Sequence, residues 1–285
     1  MSAPAPLAHG IGFYKMSGSG NDFVMFDGRL TPAEDLTAER IRRLCDRRRG
    51  IGADGVVVLS PTGLGAVTMA YWNADGSRAA LCGNASLCSA RLSAELCLSH
   101  GSDVCLLTDA GPVQARGCRG EAGAEINIRD VGPTRAADAE LGPGERWIAL
   151  GTVGVPHLIV RVDDVERADV DRRGRELRHH PSLGDPGANV NFVSPAAGHP
   201  GVWALRTFER GVEGETLACG TGTVAAALAL AEREEAALPI ELVSRGGAVL
   251  RVSGDAGEAA ARGVWLGGEA ALVYTGRLAP GIWVI

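Results

Sequence analysis

A chain of 285 residues, 46% hydrophobic and 22% charged, is long enough to bury a large core and has the balance of a globular protein. Its net charge of −6 gives no electrostatic reason to expect nucleic acid as a partner. No basic-then-apolar leader opens the sequence, and its longest apolar run, 217–231, is too short for a membrane span, so the expectation is a cytoplasmic protein with no membrane partner.

Forty glycines and 14 prolines divide the chain into short segments. In chain order, β-branched runs with Gly, Asp or Asn flanks predict strands at 12–16, 55–59, 67–72, 104–108, 125–128, 157–162, 190–194, 205–209, 240–243, 249–252 and 263–266. A last strand-like run covers 271–285. Helices are predicted at 37–48, starting on Thr37, and in the stretches that follow Cys82 and Cys219.

Those two stretches are alike. After Cys219 comes GTGTVAAALALA, with no charge before Glu232, the pattern of a helix buried on every side. After Cys82 comes GNASLCSARLSAELCL, in which only Arg91 and Glu95 are charged and form an i,i+4 pair. Both begin Cys-Gly, both follow a strand, and they stand 137 positions apart, close to half the chain. This weak repeat predicts an α+β fold of two pseudo-symmetric domains, each a sheet wrapped around one central helix. The domains are expected at 1–132 and 145–270, joined by the Pro/Gly-rich stretch 130–145, with 271–285 a candidate to return to the first.

Lys15 is the only lysine among 28 basic side chains, and it falls in the opening strand. Pyridoxal-phosphate chemistry requires a lysine amine, so no such cofactor is expected. Seven cysteines with no C-x-x-C pair do not make a disulfide framework. Of these, Cys45, Cys88, Cys97, Cys105 and Cys118 sit in apolar patterns and are expected to pack in the core. The six histidines lack a metal-ligand spacing, and His179 and His180 are adjacent, so no metal site is expected.

A cysteine at a helix start is in a different position. The unpaired N–H groups and partial positive charge there favour the thiolate and can also hold a carboxylate, with glycine permitting close approach. Two such sites, one supplying a base and the other an acid, suit proton exchange at the α-carbon of an amino acid.

The motifs SGSGNDF (17–23), DRRRGIGADG (46–55), WNADGSRAALCGN (72–84), Pro156-His157, NVNF (189–192) and ERGVEGETLACGTGT (209–223) together resemble the diaminopimelate epimerase family, over nearly the whole chain and in the family's order. The resemblance implies two domains, each a β-barrel-like sheet around a central helix, with the active site between them. It further implies a cofactor-independent isomerase that interconverts LL- and meso-diaminopimelate, and a homodimer. Cys82 and Cys219 then correspond to the acid/base pair, and His157 and Glu209 to the groups beside them. Gly83, Asn84, Gly220 and Thr221 correspond to the cradle of the reacting carboxylate, and Asn21, Asn73 and Asn189 to substrate-binding amides. Arg210, with Glu209 beside it, corresponds to the cation for the distal carboxylate.

At Val155, Leu87 and Ala188 the chain carries apolar side chains where the family pattern has polar ones, and Gly187 adjoins the last of them. Altered specificity is therefore an alternative expectation: an epimerase or racemase of the same superfamily acting on another amino acid, such as histidine. A thiol redox or binding protein is the alternative outside enzymes.

Overall fold

The computed structural model describes residues 10–63, 65–99, 103–116, 123–255, 257 and 260–279. Cys118 and the end of the last predicted strand lie outside these residues. The chain forms two compact units, Met1–Ile126 with Glu269–Ile285, and Asn127–Gly268.

The first unit contains β1 (Ile11–Gly18), β2 (Asn21–Asp27), α1 (Ala38–Cys45), β3 (Gly55–Pro61), β4 (Ala66–Asn73), α2 (Gly83–Glu95), β5 (Val104–Thr108), β6 (Gly111–Arg116) and the start of β7 (Gly123–Val131). The second contains β8 (Arg135–Ala136), β9 (Glu145–Val153), β10 (Val155–Val162), α3 (Val170–Arg178), β11 (Asn189–Pro195), β12 (Val202–Glu209), β13 (Gly214–Thr216), α4 (Gly220–Glu232), β14 (Ile240–Ser244), β15 (Val249–Asp255) and β16 (Ala261–Glu269). β17 (Ala271–Leu278) then pairs antiparallel with β1, as a member of the first unit.

The repeat hinted at by the two cysteines extends through both sheets. In the first unit neighbouring strands run β17-β1-β2-β3-β4-β5-β6-β7, and β2–β3 and β4–β5 are the parallel pairs. In the second they run β8-β9-β10-β11-β12-β14-β15-β16, with β10–β11 and β12–β14 parallel at the same two places. A parallel pair needs a crossover, usually helical. The first crossover is α1 in one unit and α3 in the other; the second is α2 and α4, the helices that follow the two cysteines.

Each sheet therefore has two buried faces. One is covered by the first crossover helix: Ile41, Leu44 and Cys45 of α1 pack with Val24, Phe26, Val56, Val58, Ala70 and Trp72. In the second unit, Val170 and Leu177 of α3 pack with Leu158, Val160, Val190, Phe192 and Phe208. The opposite face curves around the second crossover helix: α2 touches β1 through β6, and α4 touches β9, β10, β11, β14 and β15. Being enclosed on every side explains why these helices are built from Ala, Ser, Leu and Val with almost no charge.

Each of the predicted inner strands corresponds to an observed one within a few residues. Thr37 caps α1 as expected, its hydroxyl accepting from the Arg40 N–H at 3.3 Å. The 130–145 stretch is not wholly irregular, because Arg135–Ala136 pairs with β9. Cys45 and Cys88 are core residues and Cys105 is half-buried. Cys97 departs from the expectation of core packing: it lies just beyond α2 at φ +51° and is exposed, because the helix ends at Leu96 before the apolar pattern does. Among the described residues no helix is long and apolar enough to cross a membrane.

Candidate active site

Cys82 and Cys219 are the N-cap residues of α2 and α4. Both have extended backbones, with φ −140° and −135°, and both carbonyls accept the first intrahelical bond, from Ser86 and Thr223, at 2.9 Å. Neither side chain makes a capping hydrogen bond to its own helix. Gly83 and Gly220 are the first helical residues, followed by Asn84 and Thr221; their N–H groups have no acceptor within an α-helix. Cys82 is half-buried and Cys219 is buried, its sulfur 3.7 Å from the Thr221 hydroxyl. Cys45, Cys88, Cys97 and Cys105 are free thiols.

In the first unit Asn21, at the start of β2, is joined to Asn84 in the first turn of α2. The Asn84 amide donates to Asn21 Oδ1 at 2.7 Å, and Asn21 in turn donates to Asp54 Oδ2 at 2.9 Å. Asp54 also accepts from Arg47, which forms a two-pronged contact with Asp22 at 2.7 and 2.9 Å. Lys15 completes this network with an ion pair to Asp22 at 2.6 Å and a bond to the Gly52 carbonyl. Burial alone would raise the Asp22 carboxyl, but hydrogen bonds from Arg47 and Lys15 outweigh it and hold the pKa at about 2. The only lysine is thus a buried structural cation. Asn84 Oδ1 is buried and has no partner among the described residues. Asn73 closes β4, where its carbonyl oxygen Oδ1 accepts from the Tyr71 hydroxyl at 2.9 Å.

In the second unit His157 of β10 lies beside Asn189 of β11 in the parallel register. Asn189 Oδ1 accepts from the Arg210 backbone N–H at 2.8 Å, which ties the Glu209-Arg210 turn to the strand. His157 is fully buried, with Asn191 Nδ2 3.2 Å from its Nδ1 and no hydrogen-bond partner for Nε2 among the described residues. Burial depresses its pKa to about 4, the nearby Arg210 charge adds to this, and the Val153 carbonyl opposes it. Glu209 is shifted the other way: burial raises its carboxyl, against a hydrogen bond from Thr216. Cys219 adjoins this polar group through Gly222, where an added Cβ would lie 2.2 Å from Asn191 Oδ1 and 3.2 Å from the Cys219 sulfur.

Each unit therefore gathers its share of the expected residues around one helix start: Asn21, Asn73, Cys82, Gly83 and Asn84 in the first, and His157, Asn189, Glu209, Arg210, Cys219, Gly220 and Thr221 in the second. Sequence reasoning passed over Tyr71, Asp54 and Asn191. Asn191 was legible in principle, because it shares a strand face with Asn189 in NVNF and a buried amide needs partners. It finds them in Leu158 O at 3.0 Å and the Thr207 hydroxyl at 3.0 Å. Two of the apolar departures prove to be core positions, since Leu87 and Ala188 are both fully buried. Gly187, at φ +59°, is closed in by Arg178, whose carbonyl would lie 2.2 Å from an added Cβ.

A family model for diaminopimelate epimerase matches residues 13–128 and 150–270. A diaminopimelate epimerase of Gemmatimonas aurantiaca is 47% identical over 220 residues, which is 76% of this chain and 78% of that protein. One from Aquifex aeolicus is 35% identical, across 93% of this chain and 97% of its own. Solved structures with the same fold include a phenazine biosynthesis protein of the PhzF family from Bacillus anthracis, at 15% identity, TM-score 0.70, 95% of this chain and 99% of that one. Another is a hydroxyproline epimerase from Agrobacterium vitis, at 16% identity and TM-score 0.63, covering 96% of this chain and 93% of that one. With a family model spanning most of its length and relatives this similar, the chain belongs to the diaminopimelate epimerase family and is an isomerase.

Proposed function

We propose that this enzyme interconverts LL- and meso-diaminopimelate, with Cys82 and Cys219 as its two acid/base groups. The observation that carries the reading is that both cysteines occupy the same place in a repeated fold, the N-cap of the second crossover helix. A core cysteine has no reason to recur there. Relatives 47% and 35% identical to the chain bear the name of this activity.

In the proposed reaction one sulfur is a thiolate and the other a thiol. The thiolate takes the α-proton, and the C–H electron pair stays on the substrate, delocalised into the α-carboxylate. The N–H groups of Gly83, Asn84, Gly220 and Thr221 serve that carboxylate, supported by the partial positive charge of two helix starts. The second thiol then delivers its proton to the opposite face of the carbon. Configuration is inverted and the sulfurs have exchanged roles, so the reverse reaction uses the same parts. Asn21, Asn73 and Asn189 bind the rest of the substrate, and Arg210 suits its distal carboxylate. A neutral, buried His157 supplies a polar wall without adding a second cation beside Arg210.

The test is a substrate panel. Reduced enzyme is incubated with LL-diaminopimelate, L-histidine, L-glutamate and L-proline, and products are separated by chiral chromatography. Conversion of LL- to meso-diaminopimelate alone supports the proposal. Conversion of another amino acid instead transfers the chemistry to a different substrate, and Val155 would be the first place to seek the cause.

A further inference from the structure

Equivalent rungs of the two sheets reveal a difference between the two cysteines. In the second unit the rungs read His157–Asn189 and Ile159–Asn191–Thr207. In the first unit the matching rungs read Phe23–Gly55–Asn73 and Met25–Val57–Tyr71. So Phe23 stands where the second unit has His157, Val57 where it has Asn191, and Tyr71 where it has Thr207. At these positions the first unit has neither the imidazole nor the amide of the second. Of the three matching positions in the first unit, only Tyr71 carries a polar group.

Tyr71 is buried and held in place. Its ring meets Phe23 edge-on, with centroids 6.1 Å apart. It fills space left by Gly55, where an added Cβ would lie 2.6 Å from Tyr71 Cε2 and 3.2 Å from its oxygen. Tyr71 shares a strand face with Met69, whose sulfur accepts from Ser86 of α2 at 3.7 Å, so this face looks onto the helix that Cys82 starts. The chain also folds back beside it, because the Ala79 N–H donates to the Tyr71 carbonyl at 3.1 Å shortly before Cys82. The hydroxyl donates to Asn73 Oδ1 at 2.9 Å, and after its own burial the Cys82 sulfur has the largest influence on it.

We propose that Tyr71 is the positioning residue of the Cys82 sulfur, with one hydroxyl serving both of its protonation states and coupling them to Asn73. When Cys82 is a thiol, its S–H donates to the phenol oxygen and the phenol proton goes to Asn73 Oδ1, the bond seen at 2.9 Å. When Cys82 is a thiolate, the O–H turns to the sulfur and releases Asn73 Oδ1 for substrate. No proton changes owner; the hydroxyl only rotates. Burial first, and the sulfur beside it next, keep the phenol protonated above its ordinary range, as a donor must be. The other ionisable groups bearing on this corner include Asp54 before β3, Cys45 of α1, Cys88 of α2 and, through Cys88, Glu269 at the end of β16. Burial pushes both of those thiols up, Cys45 to about 12, so they stay neutral.

The proposal rests on reading Cys82 as an acid/base group, and its test is independent of turnover. Reduced wild-type and Tyr71→Phe proteins are alkylated with iodoacetamide across a pH series, and the Cys82 and Cys219 peptides are quantified by mass spectrometry. Phenylalanine keeps the ring in its slot and removes only the oxygen. The expected result is a Cys82 profile displaced to higher pH, with alkylation about tenfold slower near neutrality, the worth of one hydrogen bond to a charged group. The Cys219 profile should be unchanged. Cys82 profiles that superimpose would overturn the role of Tyr71, even if the enzyme epimerises its substrate. A displaced profile in a protein that exchanges no α-proton would keep the Tyr71–Cys82 pair and remove the epimerase reading alone.

Discussion

Asn84 donates to Asn21 at 2.7 Å, and that single bond joins the start of a strand to the first turn of the helix behind Cys82. Its direction is set from outside: Asp54 can only accept, so it turns the Asn21 NH₂ toward itself and the Asn21 oxygen toward Asn84. Asn84 Oδ1 is then left buried without a partner among the described residues, a polar edge that suits a donor on the substrate. Asp54→Ala should let the Asn21 amide flip and lower kcat/KM by about tenfold, mainly through KM. Steady-state kinetics checks this; unchanged kinetics would mean that Asp54 does not orient the pair.

His157 makes acid stability a readout of the site. Its pKa is depressed from 6.5 to about 4 in the folded protein. Between those values the unfolded chain binds a proton that the folded chain refuses, so the stability present above pH 6.5 is lost as pH falls toward 4 and levels off below it. The loss from this residue amounts to roughly 3 kcal/mol. Urea unfolding at about pH 7.5 and about pH 4.5 should show a larger acid loss in wild type than in His157→Gln. Equal losses would mean that His157 is not buried in its neutral form.

Gly222 has a steric reason to be glycine. An added methyl group would meet Asn191 Oδ1 at 2.2 Å and the Cys219 sulfur at 3.2 Å. Gly222→Ala should cost about 1–3 kcal/mol of stability, as overpacking does. It should also slow turnover by at least about tenfold, because it displaces the groups around Cys219. Thermal unfolding and kinetics on the same preparation separate the two effects, and full activity would show that Asn191 tolerates being moved.

The apolar departures from the family pattern divide by burial. Leu87 lies in the core, so Leu87→Arg should bury an unpaired charge and prevent stable folding rather than improve recognition. Val155 is half-buried at the start of β10, on the rung matching Asn21 of β2. Val155→Asn should leave stability within about 0.5 kcal/mol and lower KM for diaminopimelate about three- to tenfold. A KM that does not fall would place Val155 outside the substrate's reach.

Much of this was legible in the sequence, for physical reasons. The two central helices announced themselves through uncharged runs behind Cys82 and Cys219, since only a helix enclosed by a sheet can omit a polar face. Inner strands such as β3 and β10 were readable because burial on both faces demands continuous Val, Ile and Leu. α3 was not: VDRRGRELR shows only Val170 and Leu177 as apolar anchors, with Gly174 packed on the Phe208 ring between them. β2 and β9 were missed because their apolar runs, 23–26 and 147–150, are only four residues long, and β6 because Pro112 and Gln114 interrupt its pattern. The partnerships of Tyr71, Asp54 and Asn191 were hidden for another reason. They depend on strand register, which places Gly55 opposite Asn73 and Asn191 opposite Thr207, and no local pattern encodes that.

The central claim is that two thiols share the work at one carbon, and α-proton exchange in D₂O tests it most directly. Reduced wild-type, Cys82→Ser and Cys219→Ser enzymes are mixed with LL-diaminopimelate, and loss of the α-proton signal is followed by NMR. Exchange by wild type that slows by a factor of about 10²–10⁴ in each single variant is the predicted result, the usual worth of a positioned acid or base. Exchange that continues at the wild-type rate in either variant would contradict the two-thiol account.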